Sequence, residues 1–313
     1  MKSSTERIVI TGAGGWIGMA TLELLRNSLG PAAFQEHVRA FGSQDRTLLL
    51  RDGTVVEQRS LAELARLDNQ PTILLHTAFL TKDRAEQMDE REYVEANEAI
   101  RATVLGALDR IGVDKLFVAS SGAAGYADKP EASTAMRLYG AMKLDDERIF
   151  AQWASERSKM AVIARLFALS GPYINKPETY ALAGFILDAL AGRRILVRAP
   201  HPVVRGYVAI RELMSLVFAL LMERDARVVH FETGGEAMEL GDAAKIVSDA
   251  LGGAGVDRAP AAGGVPDHYA GDDEAYRLLL KAADLHHVDF RQQVIETADF
   301  LIERASRDLP VAS

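Results

Sequence analysis

Tyr139 and Lys143 stand four residues apart and are the side chains of this chain best suited to proton transfer. Residues at positions i and i+4 share one face of a helix, so the lysine ammonium can lie close to the phenol. A nearby positive charge lowers the pKa of a phenol from about 10, which makes it a usable proton donor or acceptor. A solvated helix face would give the same spacing, so the pair gains meaning only from its context.

A glycine-rich segment near the start of the chain supplies that context. Residues 11–18 read TGAGGWIG and follow the apolar run 8–10. A glycine turn between a strand and a helix binds the pyrophosphate of a dinucleotide, because backbone N–H groups and the helix N-terminus face the anion. Gly15 and Gly18 could instead serve close helix–sheet packing alone. A strand, a glycine turn and a helix, followed later by a Tyr–Lys helix, indicate hydride transfer at a carbonyl or carbinol carbon.

Composition narrows the class of protein. The chain has 313 residues, is 48% hydrophobic and contains no cysteine, which allows a large core in about two domains and excludes disulfides and thiolate chemistry. No metal site is predicted. A net charge of −8 without a basic run argues against nucleic-acid binding. Nothing resembles a signal peptide or the roughly 18 apolar residues that span a membrane, so we expect a soluble, cytoplasmic protein that acts on a small molecule.

Short apolar runs alternate with amphipathic helical segments through the first half of the chain, which predicts an α/β fold with a parallel sheet. Strands are expected at residues 8–10, 38–41, 73–75, 116–119, 161–167 and 228–232, with a hairpin in 46–58 around Asp52-Gly53. Helices are expected at 16–29, where Gly30-Pro31 is a stop signal, at 93–111, around Tyr139 and Lys143, and at 290–304. Residues 252–271 are predicted to form a loop.

In this order the motifs resemble the extended short-chain dehydrogenase/reductase family, of the NAD-dependent epimerase/dehydratase type. The resemblance rests on the glycine turn, HTA (76–78), VEAN (94–97), VASSG (118–122), YGAMK (139–143), RLFALSGP (165–172), VRGYVAIREL (204–213) and residues 231–247. It implies a Rossmann-like doubly wound sheet with a smaller C-terminal substrate-binding lobe. We assign residues 1–171, with 206–235 returning, to the NAD(P)-binding domain, and 172–205 with 236–313 to the lobe.

The resemblance also implies roles for individual residues. Tyr139 is then the general acid/base, and Lys143 holds the nicotinamide ribose and favours the tyrosinate. Ser121 hydrogen-bonds the substrate oxygen beside Gly122, although a serine at a strand end can also satisfy its own turn. Residues expected to bind the cofactor are Gly12, Gly15, Trp16, Ile17, Gly18, Ser43, Arg46, His76, Ala78, Asn97 and Lys143.

One departure from the family concerns the cofactor. NAD-preferring members place an acidic residue at the end of the second strand, where its carboxylate accepts from the ribose 2′-hydroxyl. Ser43 and Arg46 lie near that place here, and a hydroxyl with a guanidinium suits a 2′-phosphate better. Asp45 lies slightly beyond the usual position and keeps NAD as the alternative. The sequence favours NADP.

A second set of departures concerns the substrate. Ser121 is followed by Gly122-Ala123 without the carboxylates that dehydratases use, which argues against water elimination. Ala168 replaces the asparagine that contacts a nucleotide-sugar diphosphate, which weakens that assignment. Arg205, helped by Asn175, remains a candidate clamp for such a diphosphate, and a structural salt bridge is the equal alternative for Arg205.

Three functions follow from these residues. The first is an NAD(P)-dependent oxidoreductase acting on a sugar-like ketone or secondary alcohol, with a nucleotide sugar as one candidate. The second is a nucleotide-sugar 4-epimerase with tightly bound NAD. The third is a non-catalytic NAD(P)-sensing protein. A homodimer is expected from the two helices around 93–111 and 139–153, which carry Val104, Ile149, Phe150 and Trp153.

Overall fold

A computed structural model of the chain describes residues 6–223, 225–259 and 266–307. Along the chain the elements are β1 (Arg7–Thr11), α1 (Trp16–His37), β2 (Val38–Gly42), β3 (Arg46–Leu49), β4 (Val55–Ser60), β5 (Thr72–His76), α2 (Lys82–Ala85), α3 (Glu90–Leu108), β6 (Val113–Ser121), α4 (Thr134–Glu156), β7 (Met160–Leu166), β8 (Ala168–Ser170), α5 (Ala181–Leu190), β9 (Ile195–Val197), β10 (Val203–Ala209), α6 (Ile210–Leu221), β11 (Val228–Glu232), β12 (Ala237–Glu239), α7 (Leu240–Leu251), β13 (Val256–Arg258), β14 (Asp267–Tyr269), α8 (Asp273–Ala282) and α9 (Phe290–Arg307). Short 3₁₀ helices occupy Leu61–Arg66 and Gly122–Tyr126.

The chain divides into two compact units. The first comprises the described residues of Met1–Leu166 and Val217–Phe231, and the second those of Phe167–Leu216 and Glu232–Ser313. The second unit begins earlier than the predicted boundary at residue 171, because β8 pairs with β10 rather than with the large sheet. That this unit binds the substrate stays a prediction.

A large, mostly parallel sheet organises the first unit, which confirms the predicted α/β class. Among the described residues its strand order is β11-β7-β6-β5-β1-β2-β4-β3. The pairs β1–β2, β1–β5, β5–β6, β6–β7 and β2–β4 are parallel, and the hairpin β3–β4 is antiparallel. The chain winds outward in both directions from β1, and ligands of open parallel sheets bind at the carboxyl ends of the strands at such a reversal.

Apolar strand and helix faces form the core of the first unit. Side chains from the strands, including Val9, Leu74 and Leu116, pack with helix residues that include Val104, Phe150 and Trp153. Strands β1, β5 and β7 are buried along nearly their whole length, as expected where a sheet is covered on both faces. Three of the four side chains cited for a dimer interface, Val104, Phe150 and Trp153, therefore lie in the core, and Ile149 alone of these is half-buried.

The second unit is built around a smaller sheet. Among the residues described there, β12, β10 and β14 pair in that order, β8 joins β10, and β9 pairs separately with β13. Helices α5, α7 and α9 pack against one another. No helix in the described part of the chain is long and apolar enough to cross a membrane.

Two local predictions differ from the structure. The helix predicted at 16–29 ends at Gly30, whose φ of 75° breaks the helix, but a second helical segment runs on to His37. The loop predicted at 252–271 contains β13 and β14, which form because they pair with the distant strands β9 and β10. The part of that loop at 260–265 lies outside the described residues.

Candidate active site

The glycine turn connects β1 to α1 at the carboxyl end of the sheet. Gly12 has a φ of 73°, and a Cβ at this position would lie 2.6 Å from the backbone N of Ala78. A Cβ on Gly18 would overlap backbone atoms of Gly12 and Ala13. The turn is fixed by hydrogen bonds from Gly15 N to Gly12 O and from Ala13 N to Phe41 O. Glycine is thus required here by backbone contacts on both sides of the turn.

The N-terminus of α1 is suited to an anion. Gly15 is the N-cap residue and makes no side-chain cap, and the first turn, which contains Trp16 and Ile17, carries no acidic residue. The positive end of the helix dipole is therefore not neutralised by a carboxylate of its own first turn. This cradle fits the pyrophosphate of a dinucleotide.

Lys143 lies on α4, one turn after Tyr139, and is 5% exposed. Its Nζ donates a hydrogen bond of 2.7 Å to the carbonyl oxygen of Ala119 in β6. Burial lowers the pKa of Lys143 to about 8, although the carboxylates of Asp146 and Glu147 act in the opposite direction. The ammonium is thus held at the end of a central strand and is costly to keep charged there.

The Phe79 ring contacts both catalytic candidates, Tyr139 and Lys143. The Lys143 Nζ lies 3.7 Å from the centre of the Phe79 ring, and the rings of Phe79 and Tyr139 meet edge to face at 5.8 Å. A cation over an aromatic face is stabilised electrostatically and is shielded from water on that side. No role was predicted for Phe79, because its only sequence signal is its place directly after the HTA segment.

Ser121 ends β6 and is nearly buried. Its Oγ accepts a hydrogen bond of 3.2 Å from the Ala123 backbone N, which caps the short helix Gly122–Tyr126. The alternative considered from the sequence, a serine that satisfies its own turn, is thus present. A serine hydroxyl has a proton as well as acceptor lone pairs, so accepting a hydrogen bond in this cap does not exclude a contact with a substrate oxygen.

A largely buried network of ion pairs and hydrogen bonds connects α4 to the end of β6 and to its neighbours. Glu147, one turn after Lys143, accepts from Ser120 Oγ at 2.5 Å and from the Arg165 guanidinium at 2.9 Å through both of its oxygens. Asp146 on the same helix pairs with Arg101 of α3 at 3.2 Å. These contacts fix α4 to β6, β7 and α3, and they were not predicted from the sequence.

His76 and Asn97, both assigned to the cofactor, are used inside the protein. His76 is 3% exposed, and its Nδ1 lies 2.8 Å from Thr11 Oγ1, which joins the ends of β5 and β1. Burial, and then the charge of Lys143, lower the pKa of His76 to about 3, so the imidazole is neutral. Asn97 accepts from the Leu80 backbone N at 2.8 Å and donates to Tyr93 O at 3.2 Å. Both side chains position the loop that contains Ala78, and their contact with the cofactor stays a prediction.

The end of β2 carries the residues that bear on cofactor choice. The Asp45 carboxylate accepts a hydrogen bond of 2.6 Å from the backbone N of Ser60, the last residue of β4, and so is bound to the end of that strand. Ser43 is exposed. The Arg46 guanidinium lies directly over Gly14 of the glycine turn, since a Cβ on Gly14 would overlap its Nη2. Burial lowers the pKa of Arg46, so an anionic partner would stabilise its charged form.

Arg205 and Asn175 belong to the second unit. Arg205 donates from Nη2 to Asp267 Oδ2 at 2.7 Å and from Nη1 to the carbonyl oxygens of Asp267 and Val204. Asn175 is half-buried in a loop between Tyr173 and Lys176, whose φ angles of 65° and 48° are unusual for residues with a side chain. The salt-bridge alternative for Arg205 is thus seen, while its contact with a substrate stays a prediction.

Comparison with known proteins identifies the family. The model of the NAD dependent epimerase/dehydratase family matches residues 8–234. The chain belongs to this family. It is therefore an enzyme of the extended short-chain dehydrogenase/reductase type, with a nicotinamide dinucleotide cofactor. No curated protein matches its sequence.

Solved structures share the fold at low sequence identity. A UDP-N-acetylglucosamine 4-epimerase from Methanobrevibacter ruminantium in complex with UDP-N-acetylmuramic acid is 17% identical, with a TM-score of 0.74 over 96% of this chain and 100% of the other. A UDP-N-acetylglucosamine 4-epimerase from Bacillus cereus is 18% identical, with a TM-score of 0.70 over 98% and 99%. A UDP-glucose 4-epimerase from Thermus thermophilus in complex with NAD is 22% identical, with a TM-score of 0.69 over 95% and 99%.

The residues present fit such a cofactor, because the glycine turn and the cap-free helix end form a cradle for its pyrophosphate. Lys143 is held near the carboxyl end of β6 in the same sheet. Among the described residues no group of three His, Asp or Glu side chains could hold a metal ion.

Proposed function

We propose that this enzyme transfers hydride to or from a sugar-like ketone or secondary alcohol, with Tyr139 as the general acid/base and a nucleotide sugar as the substrate class. The observation that carries the proposal is the position of Lys143. It is buried one helical turn from Tyr139 and bonded to the strand that ends at Ser121. Burying a lysine ammonium costs free energy, and such groups are found mainly where the charge has a function. Here that function is to lower the pKa of the Tyr139 phenol.

The roles of the side chains follow from proton balance. A bound nicotinamide dinucleotide would supply or accept the hydride at the substrate carbon. Tyr139 gives a proton to the substrate oxygen during reduction and removes it during oxidation, and the Lys143 charge favours the tyrosinate that remains. Ser121 donates a hydrogen bond from its hydroxyl to the same oxygen and thereby orients it. These steps require no further acid, base or metal from the chain.

Epimerisation at C4 is the main alternative, because a transient ketone that receives its hydride on the other face uses the same residues. The structural neighbours named as 4-epimerases favour this reading, although their identity to this chain is low. Net redox chemistry is favoured by Arg46, since a guanidinium over the glycine turn suits a 2′-phosphate and a dissociable NADP. A role as an NAD(P) sensor without turnover is disfavoured because both Tyr139 and Lys143 are in place.

Three finer points belong to the proposal. NADP is the proposed cofactor, with NAD as the alternative. A homodimer through α3 and α4 is also proposed, supported by half-buried apolar residues on these helices, namely Ile100, Leu105, Leu144 and Ile149. Light scattering at micromolar concentration would show a monomer if this is wrong. A cytoplasmic location is proposed because nucleotide sugars and nicotinamide dinucleotides are intracellular metabolites.

One experiment separates the two reactions. The nucleotide that copurifies with the protein is identified and its retention through gel filtration is measured. The protein is then incubated with UDP-, GDP- and dTDP-linked hexoses, with and without added NADP or NAD. Product formation only with stoichiometric added cofactor supports net redox chemistry, and conversion between 4-epimers without it supports the alternative. If no nucleotide sugar reacts or stabilises the protein beyond the dinucleotide effect, the substrate class should be replaced by a simpler ketone or alcohol.

A further inference from the structure

Gln58 of β4 fills the space beside the last residue of β2. Gly42 ends β2, and a Cβ on Gly42 would collide with the carboxamide of Gln58. In parallel sheets of this kind, a side chain at the end of the second strand meets the adenosine ribose of the cofactor. Here glycine stands at that end, so the neighbouring strand provides the side chain instead.

The carboxamide is buried and only half of it is bonded. Gln58 is 3% exposed, and its Nε2 donates to the backbone oxygen of Gln44 at 2.8 Å. This bond fixes the orientation of the carboxamide, because the Gln44 carbonyl can only accept and must therefore face the Nε2 group. The Oε1 atom then points away from Gln44. Within residues 6–223, 225–259 and 266–307, Oε1 has no hydrogen-bond partner. A buried acceptor left without a donor is rare in folded proteins and points to a partner from outside the chain.

Gln58 also lies beside the residue that covers the glycine turn. Arg46 and Gln58 are register partners in the antiparallel hairpin β3–β4, so their side chains stand on the same face of the sheet. Arg46 reaches Gly14, and Gln58 reaches Gly42. The two glycines belong to neighbouring strand ends, because the Ala13 N donates to the Phe41 oxygen. Arg46 and Gln58 thus form a layer across the ends of β1 and β2.

Resting on the proposed function, we infer that Gln58 is a specificity-determining residue for the cofactor. Its Oε1 accepts a hydrogen bond from a ribose hydroxyl of the adenosine half. A carboxylate at this place would repel a 2′-phosphate, whereas the neutral carboxamide tolerates one, and Arg46 then pairs with it. The choice of NADP over NAD depends on this pair of side chains rather than on Arg46 alone.

The test uses three variants and calorimetric titration with NADP, NAD and 2′,5′-ADP. Gln58→Glu places a carboxylate beside Gly42 without changing the length of the side chain. Gln58→Met keeps the volume and removes the acceptor. Arg59→Gln is the matched control, because it changes the net charge by the same amount on the exposed face of the same strand. Thermal unfolding of each variant measures any structural effect separately.

Gln58→Glu is expected to weaken NADP and 2′,5′-ADP by about tenfold or more and to change NAD affinity by less than about threefold, as a like-charge contact requires. Gln58→Met is expected to weaken NADP and NAD by a similar factor. The inference is overturned if Gln58→Glu shifts the NADP-to-NAD affinity ratio no more than Arg59→Gln does, or if Gln58→Met binds both as tightly as the wild type. A wild-type protein that binds neither dinucleotide would overturn the proposed function itself, and the inference with it.

Discussion

The α-carbon of Gly140 faces the carbonyl oxygen of Ala123 so closely that a Cβ on Gly140 would overlap that oxygen. Gly140 directly follows Tyr139 on α4, and Ala123 lies two residues after Ser121, in the short helix that Ser121 caps. The contact therefore sets how near the helix that carries Tyr139 comes to the turn that carries Ser121. Because Gly140 has no side chain, α4 can pack directly against the short helix Gly122–Tyr126.

Gly140→Ala is expected to lower the free energy of unfolding by about 1–3 kcal/mol, because an added methyl group must displace backbone atoms. We expect kcat/KM to fall by about 100-fold, since small displacements of reacting groups are costly. Urea denaturation and turnover measure the two effects. Gly106→Ala is the matched control, because Gly106 lies in α3 with no atom within 4 Å of an added Cβ. That control should gain up to about 1 kcal/mol in stability, and an equal loss in both variants would contradict the assigned contact.

Tyr139→Phe should keep the fold and the cofactor affinity and lose turnover by about 10²- to 10⁴-fold. The change removes only the hydroxyl, so the edge-to-face contact with Phe79 is retained. Steady-state rates and cofactor titration with the purified variant provide the measurement. Activity within a few-fold of the wild type would remove Tyr139 from the reaction.

The buried imidazole of His76 should make stability depend on pH. The native state holds His76 neutral with a pKa of about 3, while an unfolded histidine has a pKa of about 6.5. Between these values the unfolded chain binds the extra proton, so stability is lost as the pH falls below about 6.5. The loss between pH 7 and pH 5 from this residue should be about 2 kcal/mol.

His76→Gln, which does not titrate, tests this expectation. Its urea unfolding free energy should fall less than that of the wild type between pH 7 and pH 5. The difference between the two slopes is the measured quantity, so a general loss of stability in the variant does not affect it. Parallel slopes would mean that His76 is solvated or charged in the native protein.

The sequence predicted what depends on local pattern. Buried strands such as residues 73–75 and the helix of Tyr139 and Lys143 follow from apolar periodicity, and the glycine turn follows from its motif. Contacts between distant segments could not be read in the same way. The pairing of β14 with β10 and of Asp267 with Arg205 joins segments about sixty residues apart. No periodicity within either segment encodes such a pairing.

At Gly42 and Gly140 the sequence indicates a close contact but does not identify the group that makes it. A glycine in a strand or helix often marks a close approach of another group. Gly42 occupies the end of β2, and Gly140 stands inside the YGAMK segment. The sequence shows that a side chain is missing at both positions. It does not show that the carboxamide of Gln58 or the carbonyl of Ala123 takes the space, because that depends on strand register and helix position.

Arg46→Ala is expected to weaken NADP binding and to leave NAD nearly unchanged. The guanidinium lies over the glycine turn, and a charge-assisted hydrogen bond to a phosphate contributes roughly 1.5–3 kcal/mol, which corresponds to at least about tenfold in affinity. Titration of both cofactors measures it, with Arg59→Ala on the exposed face of β4 as the control. Equal losses for NAD and NADP would make Arg46 a structural residue of the turn.

If Arg205 binds the substrate, the substrate must compete with Asp267 for the Arg205 guanidinium. Its guanidinium already binds Asp267, but that pair is partly exposed, with side-chain exposures of 25% and 47%. Ion pairs of this kind contribute at most about 1 kcal/mol, so a diphosphate with two charges can displace the carboxylate. Arg205→Ala should then raise KM by about tenfold or more and change kcat less, because the contact is remote from the reacting carbon.

The chain offers a matched control for Arg205 in the same unit. Arg194 pairs with Asp257 at 2.7 Å, and both of these side chains are about half exposed. Arg194→Ala removes an equivalent ion pair and should leave KM unchanged. Asp267→Asn should lower KM, because it weakens the group that competes with the substrate for Arg205. If Arg205→Ala and Arg194→Ala have the same small effect, Arg205 serves only to fix β14 beside β10, and the diphosphate must be recognised elsewhere.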